Sequence, residues 1–393
     1  MGVSRRCARR APHATTAAAV GSVMLIAHIA PAAADGTPSV TVGGGIQSSF
    51  FDCQTACIYS PGTPSSAGGS VQGFAVDSIR LYVNGSITDQ LKMTFDTEYT
   101  GTGSGPGDNK VAVLDAIARF EYSSEFNLWA GRFLEPSDRA NLYGPYFAND
   151  WAPYADGVAD YYPDAFDGRD NGLAYWGDFG PLKVQVGGFD GESLNSAVTD
   201  KDKVLSAARV MWDFLDKESG YYLNGTYYGD KDVLALGAAG QTQNGRSGWN
   251  LDGLLDKRLG GAGVFTFETE YQSDNGLAGA APSHGWYALA SYLLPRPLGW
   301  GRIQPLVKYS DKTYENGYEV IPSPTSSSGS AGSLATIYLP GYVLKTTEVD
   351  LNYIIKEFNA RVGLYYLHQS STSSSFAGVA SPNEFGLKIQ LQM

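Results

Sequence analysis

The C-terminal end of this 393-residue chain alternates between apolar positions and polar or glycine positions, without a break, over its last nine residues. Side chains of a β-strand point alternately to its two faces, so this segment predicts a strand with one apolar and one polar face. Such a strand closes a barrel that lipid surrounds, and it also occurs in a secreted β-sandwich. The apolar residues are Phe385, Leu387, Ile389, Leu391 and Met393, and the polar ones include Lys388, Gln390 and Gln392.

The N-terminus has the three parts of a secretory signal peptide. A basic region with four arginines is followed by a mainly apolar stretch over 17–29 and by three alanines at 32–34, ahead of Asp35. We therefore predict a signal peptide over 1–34 and one β-rich domain over 35–393. No other stretch is apolar for about 18 residues, so the sequence predicts no transmembrane helix.

The predicted mature chain is acidic and rich in aromatic residues. Removal of the four N-terminal arginines lowers the number of lysines and arginines from 28 to 24, against 40 aspartates and glutamates, so the net charge is near −16. This charge argues against a nucleic acid as a partner. The 25 tyrosines and 7 tryptophans favour membrane–water interfaces, because the ring is apolar and its tip is polar.

The alternation of the C-terminal strand recurs in earlier segments, which include 91–99, 112–122, 208–214, 264–271 and 348–355. In each segment apolar residues occupy one parity and charged residues the other; Leu114, for example, belongs to the apolar parity of its segment. We predict that the charged parity forms the inner wall of a barrel, where acids and bases neutralise one another. The predicted wall residues are Arg80, Lys92, Asp96, Glu98, Asp115, Arg119, Glu121 and Arg209.

Chain length decides between the two architectures. Parity alone does not, because a soluble sandwich shows the same alternation with its charges outward. The 359 residues of 35–393, built from such strands, make a large single-layer sheet, and lipid is the simplest cover for its apolar face. Charges on the other face fit a water-filled lumen. The sequence therefore predicts an all-β transmembrane antiparallel barrel, and a secreted β-rich binding or adhesive protein is the alternative.

Short and long connections alternate between the predicted strands, as in outer-membrane barrels with short periplasmic turns and longer outer loops. Eight long or polar connections, including 135–171 and 242–247, predict sixteen strands. The segment 221–228 also has the composition of a strand, but a seventeenth strand would leave the C-terminus on the outer side. We therefore predict that 215–232 is an unusually long inner turn.

Two cysteines remain in the predicted mature chain, Cys53 and Cys57. A close pair in an exported protein predicts a disulfide within one loop. A metal site is less favoured, because the spacing is C-x3-C and the mature histidines, His284 and His368, are far away in sequence. We predict no metal and no cofactor.

Four short motifs follow one another around the longest predicted outer loop. They are Gly131-Arg-Phe-Leu-Glu-Pro-Ser-Asp-Arg139, Gly144-Pro-Tyr-Phe147, Gly168-Arg-Asp-Asn-Gly172 and Tyr175-Trp-Gly177. They resemble the third-loop region of phosphate-selective-type outer-membrane porins, most closely the branch that includes short-chain amide and urea porins. The resemblance implies a sixteen-stranded barrel in the outer membrane of a Gram-negative bacterium, with the third loop folded into the lumen. It also implies a homotrimer, surrounded by lipid and lipopolysaccharide, that passes small polar solutes.

The loop 135–171 is acidic, with eight carboxylates against two arginines and a net charge of −6. Phosphate-selective members have a ladder of lysines and arginines instead. We therefore predict passive diffusion of neutral or cationic solutes, with phosphate or anion selectivity as the alternative. The resemblance places this loop at the pore constriction; a solvated outer loop is the other interpretation. The predicted constriction residues are Asp138, Arg139, Asp150, Asp156, Asp160, Asp164, Asp167, Arg169 and Asp170.

The two arginines of this loop each stand beside an aspartate. We predict that Arg139 pairs with Asp138 and Arg169 with Asp170, as structural salt bridges. The alternative is a positive pole that faces the acids across the constriction.

Motifs of the common catalytic sites are missing from the sequence. It contains no G-x-S-x-G nucleophile motif, no P-loop and no H-E-x-x-H zinc motif. We therefore predict that the protein is not an enzyme.

Overall fold

Sixteen antiparallel strands close into a barrel, and a separate two-stranded hairpin lies in one connection. A computed structural model describes residues 37–54, 70–100, 110–151, 169–191, 204–277, 282–315, 317–322, 334–372 and 382–393. The predicted barrel and its strand number are confirmed. The strands are β1 (Ser39–Gln54), β2 (Val71–Ser86), β3 (Leu91–Thr100), β4 (Lys110–Glu121), β5 (Asn127–Leu134), β6 (Arg169–Phe179), β7 (Leu182–Phe189), β8 (Leu205–Asp213), β9 (Val233–Gln243), β10 (Arg246–Arg258), β11 (Val264–Asp274), β12 (Ser283–Leu293), β13 (Arg302–Tyr314), β14 (Gly317–Pro322), β15 (Leu334–Leu339), β16 (Tyr342–Lys356), β17 (Ala360–Ser371) and β18 (Asn383–Gln392).

Barrel strands that are consecutive along the chain are neighbours in the sheet, except that β13 pairs with β16 across the hairpin of β14 and β15. One α-helix, α1 (Arg139–Phe147), follows β5, and a short 3₁₀ turn, Gly260–Ala262, precedes β11. In the part of the chain that the structure describes, no helix is long and apolar enough to span a membrane.

The C-terminal strand closes the barrel. β18 pairs with β1 in an antiparallel register that runs from Gly45 opposite Gln392 to Gln54 opposite Asn383. Gly44 and Met393 continue this ladder, with N···O distances of 3.0 and 2.9 Å. Closure removes the free edges of an open sheet and excludes the sandwich.

The outer face of the barrel is apolar and the inner face is polar. In β18, Ile389 is 42 % exposed whereas Gln390 is 0 % exposed. In β8 the same alternation exposes Val210 and Trp212 and buries Arg209. The predicted parity of these strands is confirmed. A continuous apolar outer surface of this kind needs lipid to cover it, so the barrel spans a membrane.

Leu114 departs from the predicted parity because β4 contains a bulge. Asp96 lies opposite Asp115 and Thr97 lies opposite Val113, so Leu114 has no partner in this register. A bulge re-aims the side chains around it, and Leu114 is buried on the inner side beside Asp115. The prediction that Leu114 belongs to the outward parity is therefore wrong.

The predicted outer connection over 242–247, between β9 and β10, is a tight turn, shorter than the other predicted outer loops. Only Asn244 and Gly245 separate the two strands, and their φ angles are 49° and 80°. Positive φ at both positions is the type I′ geometry that an Asn-Gly pair favours in two-residue hairpins. The dipeptide is visible in the sequence, so this turn was open to prediction.

Residues 214–232 join β8 to β9 without forming a strand. This finding confirms the predicted long inner turn, and we call the segment the inner turn. Its tyrosine-rich part over 221–228 does not take part in the sheet.

Two sequence predictions fall at least partly outside the described residues. One is the signal peptide over 1–34. The other concerns Cys57, the predicted partner of Cys53. Cys53 is buried and disulfide-bonded, and its pairing with Cys57 stays a prediction.

Candidate functional site

The third outer loop turns inward directly after β5. Asp138 caps the first turn of α1, because its carboxylate accepts a hydrogen bond from the N–H of Asn141 at 2.7 Å. Gly144 has a φ of 62° and interrupts the helix ahead of Pro145, a conformation that favours glycine. Residues 135–151 thus form a bent segment whose contacts place it inside the barrel.

Loop side chains and backbone bind the inner wall on one side of the barrel. Arg209 of β8 donates a hydrogen bond to the Ser137 carbonyl oxygen at 2.9 Å. Tyr143 donates to the Glu268 carboxylate of β11 at 2.8 Å. These buried bonds fasten the first part of the loop to the wall formed by β8 to β11.

The end of the described loop segment binds the wall further round the barrel. Asp150 forms an ion pair with Lys308 of β13, with an N···O distance of 2.7 Å. The guanidinium of Arg361 on β17 lies 4.1 Å from the centre of the Trp151 ring, a cation–π contact. The described part of the third loop is therefore folded into the lumen, as the resemblance implied.

The inner turn enters the lumen from the opposite end and meets the third loop. The N–H of Leu223 donates to the Leu142 carbonyl oxygen at 3.3 Å, and the N–H of Gly225 donates to the Phe147 carbonyl oxygen at 2.9 Å. A β-carbon at Gly225 would lie 2.9 Å from the backbone nitrogen of Asn149. Glycine therefore permits the close approach of the two backbones.

A buried ion pair joins the loop to the inner turn. Arg139 is 0 % exposed and donates to both carboxylate oxygens of Glu218, one of them at 2.9 Å. It also donates to the Asn224 carbonyl oxygen at 3.1 Å. Burial tends to raise the pKa of the Glu218 carboxyl, but Arg139 and a hydrogen bond from Tyr227 outweigh that effect and hold the pKa below its usual value. The pair is therefore ionised at neutral pH.

Aromatic contacts and hydrogen bonds hold the inner turn against the wall. The Tyr221 ring stacks on Trp129 of β5 with a centroid distance of 4.6 Å, and its hydroxyl donates to the Leu134 carbonyl oxygen at 2.7 Å. Thr226 donates to the Asp256 carboxylate of β10 at 2.6 Å. The strand-like composition of 221–228 thus serves packing inside the lumen.

A cavity of about 800 Å³ lies between the third loop, the inner turn and the wall formed by β18, β1 and β2 to β6. Residues 219–224 of the inner turn and Leu142, Tyr143, Gly144 and Phe147 of the loop line it. Because the loop and the inner turn both border this cavity, it lies in the narrowed part of the lumen, which we call the neck. The charged residues around it are Arg80, Arg119, Arg169, Asp96, Asp115 and Glu121.

The predicted wall residues face inward, and their cations pair with carboxylates. Each arginine of the neck has a carboxylate oxygen within 3.0 Å, so the neck carries little net charge of its own. The ion pairs are Arg80 with Glu98 at 3.0 Å, Lys92 with Glu121 at 2.9 Å, Arg119 with Glu121 at 2.8 Å, Arg169 with Asp115 at 2.9 Å and Arg209 with Asp252 at 2.5 Å.

The predicted pairing of Arg139 with Asp138 is wrong. The Asp138 carboxylate is committed to the helix N-terminus as a cap, which is a common role of aspartate at that position. Arg139 pairs instead with Glu218, a residue 79 positions away.

The predicted pairing of Arg169 with Asp170 is wrong as well. Successive side chains of a strand point to opposite faces, and both residues begin β6. Arg169 pairs with Asp115 of the wall, while Asp170 accepts a hydrogen bond from the N–H of Gly191 at 2.5 Å.

The predicted constriction residues have different positions in the structure: some line the neck and others hold the loop in place. Arg169 lines the neck, whereas Asp138 and Asp150 are buried in contacts that hold the loop. Sequence reasoning missed Glu218, since nothing in the chain pattern shows that the inner turn enters the lumen. Four further acids of the loop lie outside the described residues: Asp156, Asp160, Asp164 and Asp167.

Buried ionisable side chains inside the barrel are predominantly acidic. Among the residues that the structure describes, seventeen buried carboxylates accompany nine buried lysines and arginines. Fixed charges in a narrow, poorly screened space act strongly on mobile ions. No group of three or more His, Cys, Asp or Glu residues within the described ranges is placed to hold a metal ion.

Comparison with solved structures identifies the fold. No family model matches the chain, and the comparison with curated proteins finds no match. OprB of Pseudomonas putida has a TM-score of 0.55 and 11 % identity, over 91 % of this chain and 94 % of that one. The anion-selective porin from Comamonas acidovorans has a TM-score of 0.52 and 13 % identity, over 91 % of this chain and 100 % of that one. OmpT of Vibrio cholerae in its trimer form has a TM-score of 0.50 and 12 % identity, over 91 % of this chain and 100 % of that one. The chain therefore has the fold of outer-membrane porins.

Proposed function

We propose that this protein is an outer-membrane porin, a passive diffusion channel for small polar solutes that favours neutral or cationic solutes over anions. Its barrel presents an apolar surface to lipid and a polar interior. The third loop and the inner turn narrow that interior to a neck with polar and charged walls. Such a neck selects solutes by its width and by the charges along it.

The observation that carries the charge preference is the excess of buried carboxylates inside the described barrel, seventeen against nine cationic side chains. A lumen with this excess attracts cations and repels anions. The third loop contains four more acids, Asp156, Asp160, Asp164 and Asp167.

The resemblance to short-chain amide and urea porins supports neutral polar cargo. The neck is lined by three arginines and three carboxylates, which offer hydrogen-bond donors and acceptors to a neutral solute. We further propose a homotrimer surrounded by lipid and lipopolysaccharide, an assembly that fits the trimer form of the OmpT structure.

Phosphate or anion selectivity is the second candidate. Arg80, Arg119 and Arg169 line the neck, and one of the similar structures is an anion-selective porin. Each of these arginines is within 3.0 Å of a carboxylate oxygen, and this pairing weakens its attraction for a mobile anion. The first candidate is therefore preferred.

Swelling of proteoliposomes tests the proposal. We expect entry of uncharged amides and sugars to slow as their size increases, because the neck excludes larger solutes. Cationic solutes should enter faster than anionic solutes of the same size. Faster entry of the anions would favour the second candidate, and absence of swelling with folded protein would reject a channel.

Removal of charge from the third loop should weaken cation preference. Replacing Asp156, Asp160, Asp164 and Asp167 with asparagine keeps side-chain size and removes four charges. The reversal potential in a salt gradient should move toward zero, most clearly at low ionic strength where screening is weak. Conductance at high salt should change little. An unchanged reversal potential at low salt would show that these residues lie away from the permeation path.

A further inference from the structure

The inner turn is longer than a connection between neighbouring strands requires. β8 ends at Asp213 and β9 begins at Val233, so nineteen residues join them, whereas hairpin loops commonly have about two to five. A connecting loop normally runs over the surface. In this one Glu218, Tyr221 and Leu223 are buried, because the segment lies inside the barrel.

We propose that the inner turn is the second wall of the permeation path, and that it sets the upper size of the solutes together with the third loop. This inference rests on the proposed channel function, and it names a second segment that determines which solutes pass. The inner turn enters from the end of the barrel that carries the short turns, whereas the third loop enters from the other end.

The position of the inner turn in the neck supports this inference. Its residues 219–224 line the cavity together with residues of the wall strands β2 to β6. The third loop contributes Leu142 and Phe147 to the same cavity. A solute that passes through the neck therefore meets the wall strands and both inserted segments.

The inner turn is a fixed wall, since hydrogen bonds hold its tip from two sides. Asp178 of β6 accepts from the N–H of Gly220 at 3.1 Å, and Gln185 of β7 donates to the Tyr221 carbonyl oxygen at 2.8 Å. On the loop side, Leu223 donates its N–H to the Leu142 carbonyl oxygen. A segment with bonds to both neighbours keeps its place in the lumen.

The part of the inner turn that lines the neck is uncharged. It consists of Ser219, Gly220, Tyr221, Tyr222, Leu223 and Asn224. This wall therefore acts on the size of the solute, whereas selection by charge belongs to the acids of the loop and of the wall strands. A charge placed on it should reach the permeating ions directly.

Chemical modification of a Ser219→Cys variant tests the inference. Ser219 is exposed and lines the neck. We would label the cysteine with a cationic or an anionic methanethiosulfonate and record single channels in planar bilayers. Both labels should lower conductance by about a third or more, because they add bulk to the neck. The reversal potential should shift toward anion preference with the cationic label and toward cation preference with the anionic one.

An Asp230→Cys variant is the matched control. Asp230 belongs to the same turn and is exposed, but it does not line the cavity. Its labelling should leave conductance unchanged, as should treatment of the wild-type protein. Mass spectrometry would verify that residue 219 is fully labelled. If conductance and reversal potential are then unchanged, the inference is overturned, while the channel function stays intact. Absence of channels in the unlabelled protein would instead reject the proposed function.

A Gly225→Ala variant gives an independent test. The added β-carbon would meet the Asn149 nitrogen at 2.9 Å and the Phe147 carbonyl oxygen at 3.1 Å, so the inner turn must move away from the loop. Conductance should rise and larger solutes should enter liposomes. The control is Gly261→Ala, where the β-carbon meets open space. Equal conductance and an equal solute size limit in the two variants would contradict the inference.

Discussion

Replacing Arg139 with leucine should separate the third loop from the inner turn and should lower the stability of the barrel. The variant leaves the buried Glu218 carboxylate without its cation. Removal of one partner from a buried ion pair costs about 3–5 kcal/mol. We expect the heat-induced change in gel mobility of the purified barrel to occur at a lower temperature. Open-channel conductance should become larger and more variable.

The double variant Arg139→Leu with Glu218→Leu is the control for this prediction. It removes both charges and leaves apolar side chains, a replacement that is often neutral for a buried pair. Much of the lost thermal stability should return. A single variant as stable as the wild type, or a double variant no more stable than the single one, would contradict the role of this ion pair in holding the two segments together.

Replacing Ile389 with arginine should impair assembly in the membrane. Ile389 faces outward on β18, where it lies opposite Ser48 of β1 and Val362 of β17. A cationic side chain that faces lipid near the bilayer centre costs about 2–4 kcal/mol. The fraction of heat-modifiable, folded protein in the outer-membrane fraction should fall.

Gln392→Arg is the matched control on the opposite face of the same strand. Gln392 is partly exposed and borders the neck, so the added charge stays in water. Gln390 also faces the lumen, but it is a poor control because it is fully buried and bonded to Gln47 at 2.7 Å and to the Tyr146 carbonyl oxygen at 2.9 Å. Equal assembly of the variants at residues 389 and 392 would reject the orientation of β18.

The barrel could be predicted from the sequence because its signal is local. Side-chain parity in a strand such as β18 follows from the period of two, and the number of long connections limited the number of strands. Prediction failed where one or two residues changed the local backbone geometry. The bulge at Leu114 reverses the side-chain parity of β4, and the turn at Asn244 and Gly245 is shorter than the predicted connection.

The candidate site was less predictable because its contacts join distant parts of the chain. Arg139 stands beside Asp138, so sequence adjacency suggested the wrong partner. The observed partner, Glu218, lies in a segment that was correctly predicted as a turn. The turn itself carries no pattern that distinguishes a surface loop from one folded into the lumen. The tyrosines of the turn indicate that it packs against another surface, but they do not show which surface.

The reversal potential of the wild-type channel tests the central claim most directly. Purified protein would be inserted into a planar bilayer that separates two concentrations of potassium chloride at low ionic strength. A diffusion channel whose described interior buries seventeen carboxylates and nine cationic side chains should show discrete open steps and a reversal potential on the cation side of zero. A reversal potential on the anion side would contradict the proposed selectivity, and folded protein without open steps would contradict the proposed channel.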